Sequence, residues 1–416
     1  MLFVLIAIPL TTALLLYSSL WWSERPLKAV ERALAQRDFP RAMELVDNYL
    51  KSDRNSSRAL DLKAQALVGL RKFGDALAIY DRVGTDTVPG LRAWAEAMLH
   101  EKRWSDALLL LHEVDQRQPH DPDVVHQLSA CAMQTGDFEE AVRKAEELTH
   151  IPDHFERGTL LLGVLHINHG NYRSAAEAFE QLLEKNPQAT GLQISPEEFF
   201  QGLGQSYLGD GKPEQAIERL EQAIAIQETA DRFAFLGDAW ELKGDLAKAA
   251  AAWVKSTALD SNQVRAREGL ARAALEERQP AQAIEWLTPL SAPDKLTSAV
   301  AHSLKRANSQ LGDTEAAKKW EVEESRLRDA EDRKRALDDL VKQSPRSFWA
   351  LAVRAHRFAS EGNTPQAANL LRTVDEVRRN SAKSHDDPKK FIDKLLNAVQ
   401  EGTELPSLDL VPIEIH

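Results

Sequence analysis

The sequence is short of the residues that carry covalent and redox chemistry. It holds a single cysteine, Cys131, so no disulfide can close within the chain and cysteine usage leaves the redox compartment open. No glycine loop of P-loop or dinucleotide pattern occurs, nor a nucleophile elbow, nor an HExxH helix. Positive charge is also scarce. Lys and Arg total 52 against 64 Asp and Glu, a formal net charge of -12, which argues against a phosphate-binding surface and hence against a nucleic-acid partner. The 12 histidines build no metal set. His166 and His169 lie three apart, and His150 and His154 four apart around Pro152, but no carboxylate or thiolate completes either pair into a zinc site. Trp94, Trp104, Tyr207, Trp240 and Trp253 fall at helical spacing and read as core. The sequence alone therefore predicts no enzyme, no cofactor and no metal.

What the chain has is repetition. Phe200, Leu203, Gly204, Tyr207, Gly211, Ala216 and Leu220 recur at nearly the same offsets as Phe233, Leu236, Gly237, Trp240, Gly244, Ala249 and Trp253. Apolar residues three and four apart put one stripe on one helical face. Gly211 and Gly244 break the helix where a left-handed turn is useful, and Ala216 and Ala249 sit where a second helix must come close. A hairpin of this kind cannot bury its stripe alone and needs copies on either side. Marker alanines for such copies are Ala42, Ala76, Ala107, Ala141, Ala175, Ala216, Ala249, Ala283, Ala317 and Ala367, spaced by subtraction at 34, 31, 34, 34, 41, 33, 34, 34 and 50.

The pattern resembles the tetratricopeptide repeat, an aromatic, then Leu-Gly, Tyr, Ala, an aromatic and Pro. Thr159, Leu162, Gly163, His166, Ala175, Phe179 and Pro187 match most of it, while Val30, Ser129 and Lys305 depart at the small position of the first helix. The resemblance covers Leu27 to Arg379. It implies an all-α, right-handed alpha-solenoid of helix-turn-helix repeats whose concave groove, lined by first helices, grips peptide segments or helices of other proteins. Carried across by register, the groove positions are Arg58, Asp61 and Gln65; Arg92, Glu96 and His100; Asp123, His126 and Gln134; Arg157, Val164 and Asn168; Gln201 and Gln205; Asp231 and Asp238; and Arg265, Glu268 and Arg272. Charges of both signs alternate along them, which suits a mixed-charge peptide held by many modest contacts. The leading clamp position of repeats that bind chaperone tails carries Asp61, Arg92, His126, Leu160 and Gln201, with no repeated basic pair, so that specialisation is not expected. The implied role is a scaffold or adaptor for protein partners.

In chain order, residues 1–22 carry no charged side chain and match the length of a membrane-spanning helix. Trp21 and Trp22 end the run and Arg25 and Lys28 follow, as at a membrane interface. An uncleaved single-pass anchor is expected, because a cleaved signal peptide wants an early basic residue and small residues before the cut. Arg25, Lys28, Arg32 and Arg37 after the span favour a cytoplasmic array; the alternative is an exported periplasmic or lumenal binding protein that has lost this segment. The repeat array is placed at 27–313, with its longest connection at Asn186 to Pro196. A long charged helix and a final hairpin follow at 314–379, then a capping helix at 388–402 and a flexible tail at 403–416. The long helix, with only a narrow seam of Trp320, Leu327, Ala330, Leu337 and Val341, reads as one helix projecting past the array or two run together; it either forms a short coiled-coil seam, for which it is too short, or packs on its neighbour as a solvated extension.

Overall fold

One turn sets every hairpin. Five residues before each marker alanine the backbone is left-handed: glycine holds that position at 136, 170, 211, 244, 312 and 362, and Arg37, Arg71, Lys102 and Arg278 hold it at φ 57, 59, 56 and 57°. The left-handed residue ends the first helix and lets the chain reverse. In four hairpins an aspartate follows as N-cap of the second helix: Asp38, Asp137, Asp245 and Asp313 accept a backbone N–H from Arg41, Glu140, Lys248 and Ala316. The marker alanine lies five residues past the turn, and all but Ala317 have 0% exposure. Ala42, in a repeat whose first helix departs from the pattern at Val30, is as buried as the others.

The computed structural model describes residues 26–344, 347–364, 367–368, 370–374 and 386–412. The span expected at 1–22 lies outside them. No helix among the described residues is long and apolar enough to cross a membrane, and none of those residues forms a strand. The chain divides into two units, one ending at Thr135 and one starting at Gly136.

The first unit contains α1 (26–35), α2 (Phe39–Leu50), α3 (Ser57–Gly69), α4 (Phe73–Val83), α5 (Val88–His100), α6 (Trp104–Arg117) and α7 (Pro122–Gln134). Neighbouring helices share two apolar clusters, one from Leu27 to Ala66 and one from Ala64 to Cys131.

The second unit continues with α8 (Phe138–His150), α9 (Phe155–His169), α10 (Tyr172–Lys185), α11 (Pro196–Gly209), α12 (Pro213–Ile226), α13 (Ala230–Lys243), α14 (Leu246–Leu259), α15 (Val264–Glu276), α16 (Pro280–Leu287) and α17 (Ser298–Leu311). It ends with α18 (Thr314–Gln343), α19 (Phe348–Ser360), α20 (370–374) and α21 (Asp386–Glu401). Its packing turns on glycines that admit a large neighbour. A Cβ on Gly237 would lie 2.3 Å from Trp253 and one on Gly269 2.4 Å from the same indole, so two first helices close on one buried tryptophan. The connection at 186–196 is ordered: the Asn186 amide donates to the Thr190 carbonyl at 2.7 Å, Ala189 is buried, and Leu192 and Ile194 pack on the neighbouring core.

At the end of the chain the structure selects among the alternatives for one expectation and corrects another. The long charged segment is one helix of 30 residues, and it does not project free. Glu324 is buried near its middle and meets Lys305 of α17 at 2.6 Å and His302 at 3.1 Å, while Leu337 and Val341 join the core of the last hairpin. The tail expected to be flexible is, over 403–412, laid against that core. Leu405 and Leu408 pack on it and Val411 is 1% exposed. The apolar residues there alternate with polar ones, a pattern that hid a packed segment behind the look of a frayed end.

Candidate functional site

In the first unit the groove positions surround a cleft of about 910 Å³. Helices α3, α5 and α7 contribute Gln65, Arg92, Glu96, His100 and His126, all anticipated from the repeat register. Val68, Ala93, Leu99 and Ala130 give the lining its apolar part, and Phe39, Phe73 and Trp104 enter from the starts of the second helices. The first position of a second helix follows the left-handed turn by two residues, so the same turn delivers its residue to this rim. Arg37 and Arg71 are those turn residues and both line the cleft.

The charges here are unevenly satisfied. Arg92 is held by Asp121 at 2.6 Å. Burial acts to raise the Asp121 carboxyl, but the hydrogen bond from Arg92, backbone N–H groups of Val124 and Asp123, and the Arg92 charge outweigh it and keep that pKa low. Glu96 is displaced upward, chiefly by burial, and the Arg71 charge only partly offsets this. His100 stacks on Phe73 with ring centroids 4.0 Å apart. Among the described residues, the Arg37 and Arg71 side chains have neither an ion pair nor a hydrogen bond. The cleft thus offers an apolar lining with the Arg37 and Arg71 guanidinium groups beside it, Arg71 sharing its field with Glu96.

Other anticipated positions of this unit lie elsewhere. Arg58 is exposed and paired with Glu31 at 2.7 Å. Asp123 and Gln134 are exposed on α7. Asp61 is corrected outright: it is only 4% exposed and accepts a hydrogen bond from Thr87 Oγ1 at 2.9 Å. Burial raises its pKa, against the opposing effect of the hydrogen bond from Thr87. It is a buried structural carboxyl that ties α3 to the loop before α5, and it is not available to a ligand in the groove.

In the second unit the register brings four anticipated residues together. Asp238 accepts from Arg265 at 2.5 Å and from the Trp253 indole N–H at 3.1 Å. Arg272 reaches Glu241 through two bonds of 3.0 and 2.7 Å, and Thr297 donates to Glu268 at 3.4 Å. Burial raises both Asp238 and Glu268, outweighing their cationic neighbours, and the hydrogen bond to Glu241 raises Arg272. Arg265 also lies 4.5 Å from the centre of the Phe235 ring. This is a nearly closed network. Gln201 accepts from the buried Arg232 at 3.0 Å, and Asp231 accepts from Gln263 at 2.5 Å. Arg157 and Gln205 are half-buried, and Val164 and Asn168 are exposed, away from this network.

Sequence reasoning missed Arg37, Arg71, Glu241 and Arg232. A signal existed for the first two, a basic residue standing where other repeats carry the turn glycine. Glu241 and Arg232 had none, since their partners are 31 residues away on another helix. No group of His, Cys, Asp and Glu suited to a metal occurs among the described residues.

Family models described as the tetratricopeptide repeat match residues 27–87, 98–152, 160–193 and 202–258. These segments are tetratricopeptide repeats. Beyond the last match the same left-handed turn recurs at Arg278, Gly312 and Gly362, so the repeat geometry outlasts the recognisable sequence. Over 128 residues, 31% of its length, the chain is 27% identical to Hsp70-Hsp90 organizing protein 2 of Arabidopsis thaliana, and it spans 22% of that relative. A tetratricopeptide repeat protein from Parabacteroides merdae aligns at 16% identity and a TM-score of 0.40, over 60% of this chain and 98% of that one. PilF of Pseudomonas aeruginosa aligns at 18% identity and 0.41, over 56% and 96%.

Proposed function

We propose that this chain is a non-catalytic scaffold or adaptor that holds partner polypeptides in its repeat grooves, with the cleft of the first unit as the principal seat. The observation that carries the reading is the pairing of an apolar lining with Arg37 and Arg71, whose side chains make no ion pair or hydrogen bond among the described residues, Arg71 adding only its charge near Glu96. A segment with apolar side chains flanked by carboxylates complements that arrangement, gaining burial from the first and charge-assisted hydrogen bonds from the second. The tetratricopeptide segments support a protein-binding role, as does a relative whose name describes an organizing protein. The cleft departs from a chaperone-tail clamp in one respect: Arg92 is committed to Asp121 and has no basic partner repeated at its register.

The test is to change Arg37 and Arg71 together to Glu in the full-length chain and quantify co-purifying proteins by mass spectrometry. Loss of a defined subset is expected; an unchanged set contradicts the reading.

We further propose that residues 1–22 anchor the protein in a membrane as a single pass, with the array on the cytoplasmic side. The uncharged run and its Trp and basic flank support this. The alternative is an exported periplasmic or lumenal binding protein with that segment removed. Intact mass, membrane fractionation and protease access from each side discriminate the two: a full-length chain held in the membrane and shielded from outside protease supports the anchor, and a shortened soluble chain overturns it.

A further inference from the structure

The last segment of the chain is held in the way a bound peptide is held. After α21 the backbone turns at Gly402, with φ +67°, and runs over the surface of the final helices. Arg333, on α18, donates through Nη2 to the carbonyls of Leu408 at 2.7 Å and Val411 at 3.0 Å, and its Nε lies 2.8 Å from Asp409 Oδ1. His356, on α19, places Nε2 2.9 Å from the Pro406 carbonyl, which has no proton to give, so the imidazole N–H is the donor. Side chains at 405, 408 and 411 enter the apolar core of the last hairpin. Residues Leu408–Leu410 form a 3-10 turn; main-chain bonds thus fix the segment while side chains three apart fill the core, a division of labour also found where a groove reads a bound peptide.

Little binds this segment to the chain other than these contacts. Only Gly402, Thr403 and Glu404 separate it from α21. Such a short link gives an effective concentration on the order of millimolar, enough to keep a modest ligand seated. We propose that the surface formed by α18, α19 and α21 is a peptide-binding site for short acidic-apolar segments that adopt such a turn, kept closed by the chain's own residues 405–411. The partner it fits carries apolar side chains at three-residue spacing and an acid after the second, as Leu405, Leu408, Asp409 and Val411 do. The site uses none of the groove residues and does not depend on their role.

The experiment measures binding of a fluorescent peptide copying residues 403–412 to full-length chains. The wild type, with its site filled, is expected to bind about tenfold or more weakly than L405D/V411D, in which the tail is ejected and the helices are unchanged. Adding R333A to that variant should return the affinity to the wild-type level. An L405D/V411D chain that binds no better than wild type overturns the proposal, as does binding indifferent to Arg333. Hydrogen exchange of amides 405–411 gives a readout free of any folding question for the tail variant. About tenfold faster exchange there in R333A, with α21 unchanged, is expected, and equal exchange in the two chains contradicts the assignment. Wild-type dimers that exchange tails would also overturn it, since the segment would then serve a second copy.

Discussion

Glu96 in the cleft of the first unit and Asp238 in the Trp253 network of the second each stand 11 residues before their marker alanine, yet the charges around them have different employment. Around Trp253, Asp238 accepts from Arg265 and from the indole N–H, and Arg272 is bonded to Glu241. In the cleft, Arg92 is ion-paired, whereas the Arg37 and Arg71 side chains make no ion pair or hydrogen bond among the described residues. A groove position is therefore not a binding residue by register alone. We propose that binding falls to charges left over after the fold has been satisfied.

The comparison predicts that substitutions in the network cost stability, and substitutions in the cleft cost partners. The largest effect is expected for Trp253→Ala, which empties a fully buried site between two glycine-bearing helices and should cost about 3–5 kcal/mol in denaturant unfolding. Gly269→Ala adds a methyl group 2.4 Å from that indole and should cost ~1–3 kcal/mol by the same measurement. Arg265→Ala leaves the half-buried Asp238 without its cationic donor and is expected to cost about 1–3 kcal/mol. Arg37→Glu with Arg71→Glu should move stability by no more than roughly 0.5 kcal/mol while abolishing the partner subset. If that pair proves as destabilising as Arg265→Ala, the distinction between the two regions fails.

A smaller effect separates the buried carboxyl from the groove. The folded state raises the Asp61 pKa above 3.8 through burial, so it favours the neutral acid. That contribution is complete below 3.8 and is lost as pH rises through the raised value. Asp61→Asn, which stays neutral, should show a flatter stability curve across this window and gain on the wild type toward neutral pH. Unfolding midpoints of both chains over the acid to neutral range check this; parallel curves would remove Asp61 from the account.

Much of the fold could be read from spacing because one local device repeats. The alanine markers sit five residues past the turn in every hairpin, and an interval of 41 or 50 changes only a connection or a helix length. The turn itself was half visible: glycine announces a left-handed residue, whereas Arg37, Arg71, Lys102 and Arg278 conceal one. Those arginines are also the part of the candidate cleft that the register did not supply. Ion pairs such as Arg272 with Glu241 were illegible for a different reason, because they depend on how successive first helices lie against each other. The docked tail was hidden because three apolar residues in a polar stretch have no periodicity that specifies a neighbour.

The most direct test of the account is site-specific photo-crosslinking in cells from full-length chains carrying the crosslinker at Glu96, inside the cleft, or at Leu109, which is 71% exposed on α6. The account predicts discrete protein adducts from position 96 that are absent from position 109 and disappear when Arg37 and Arg71 are changed to Glu. The same adducts from both positions, or adducts at 96 that survive the charge reversal, would contradict it.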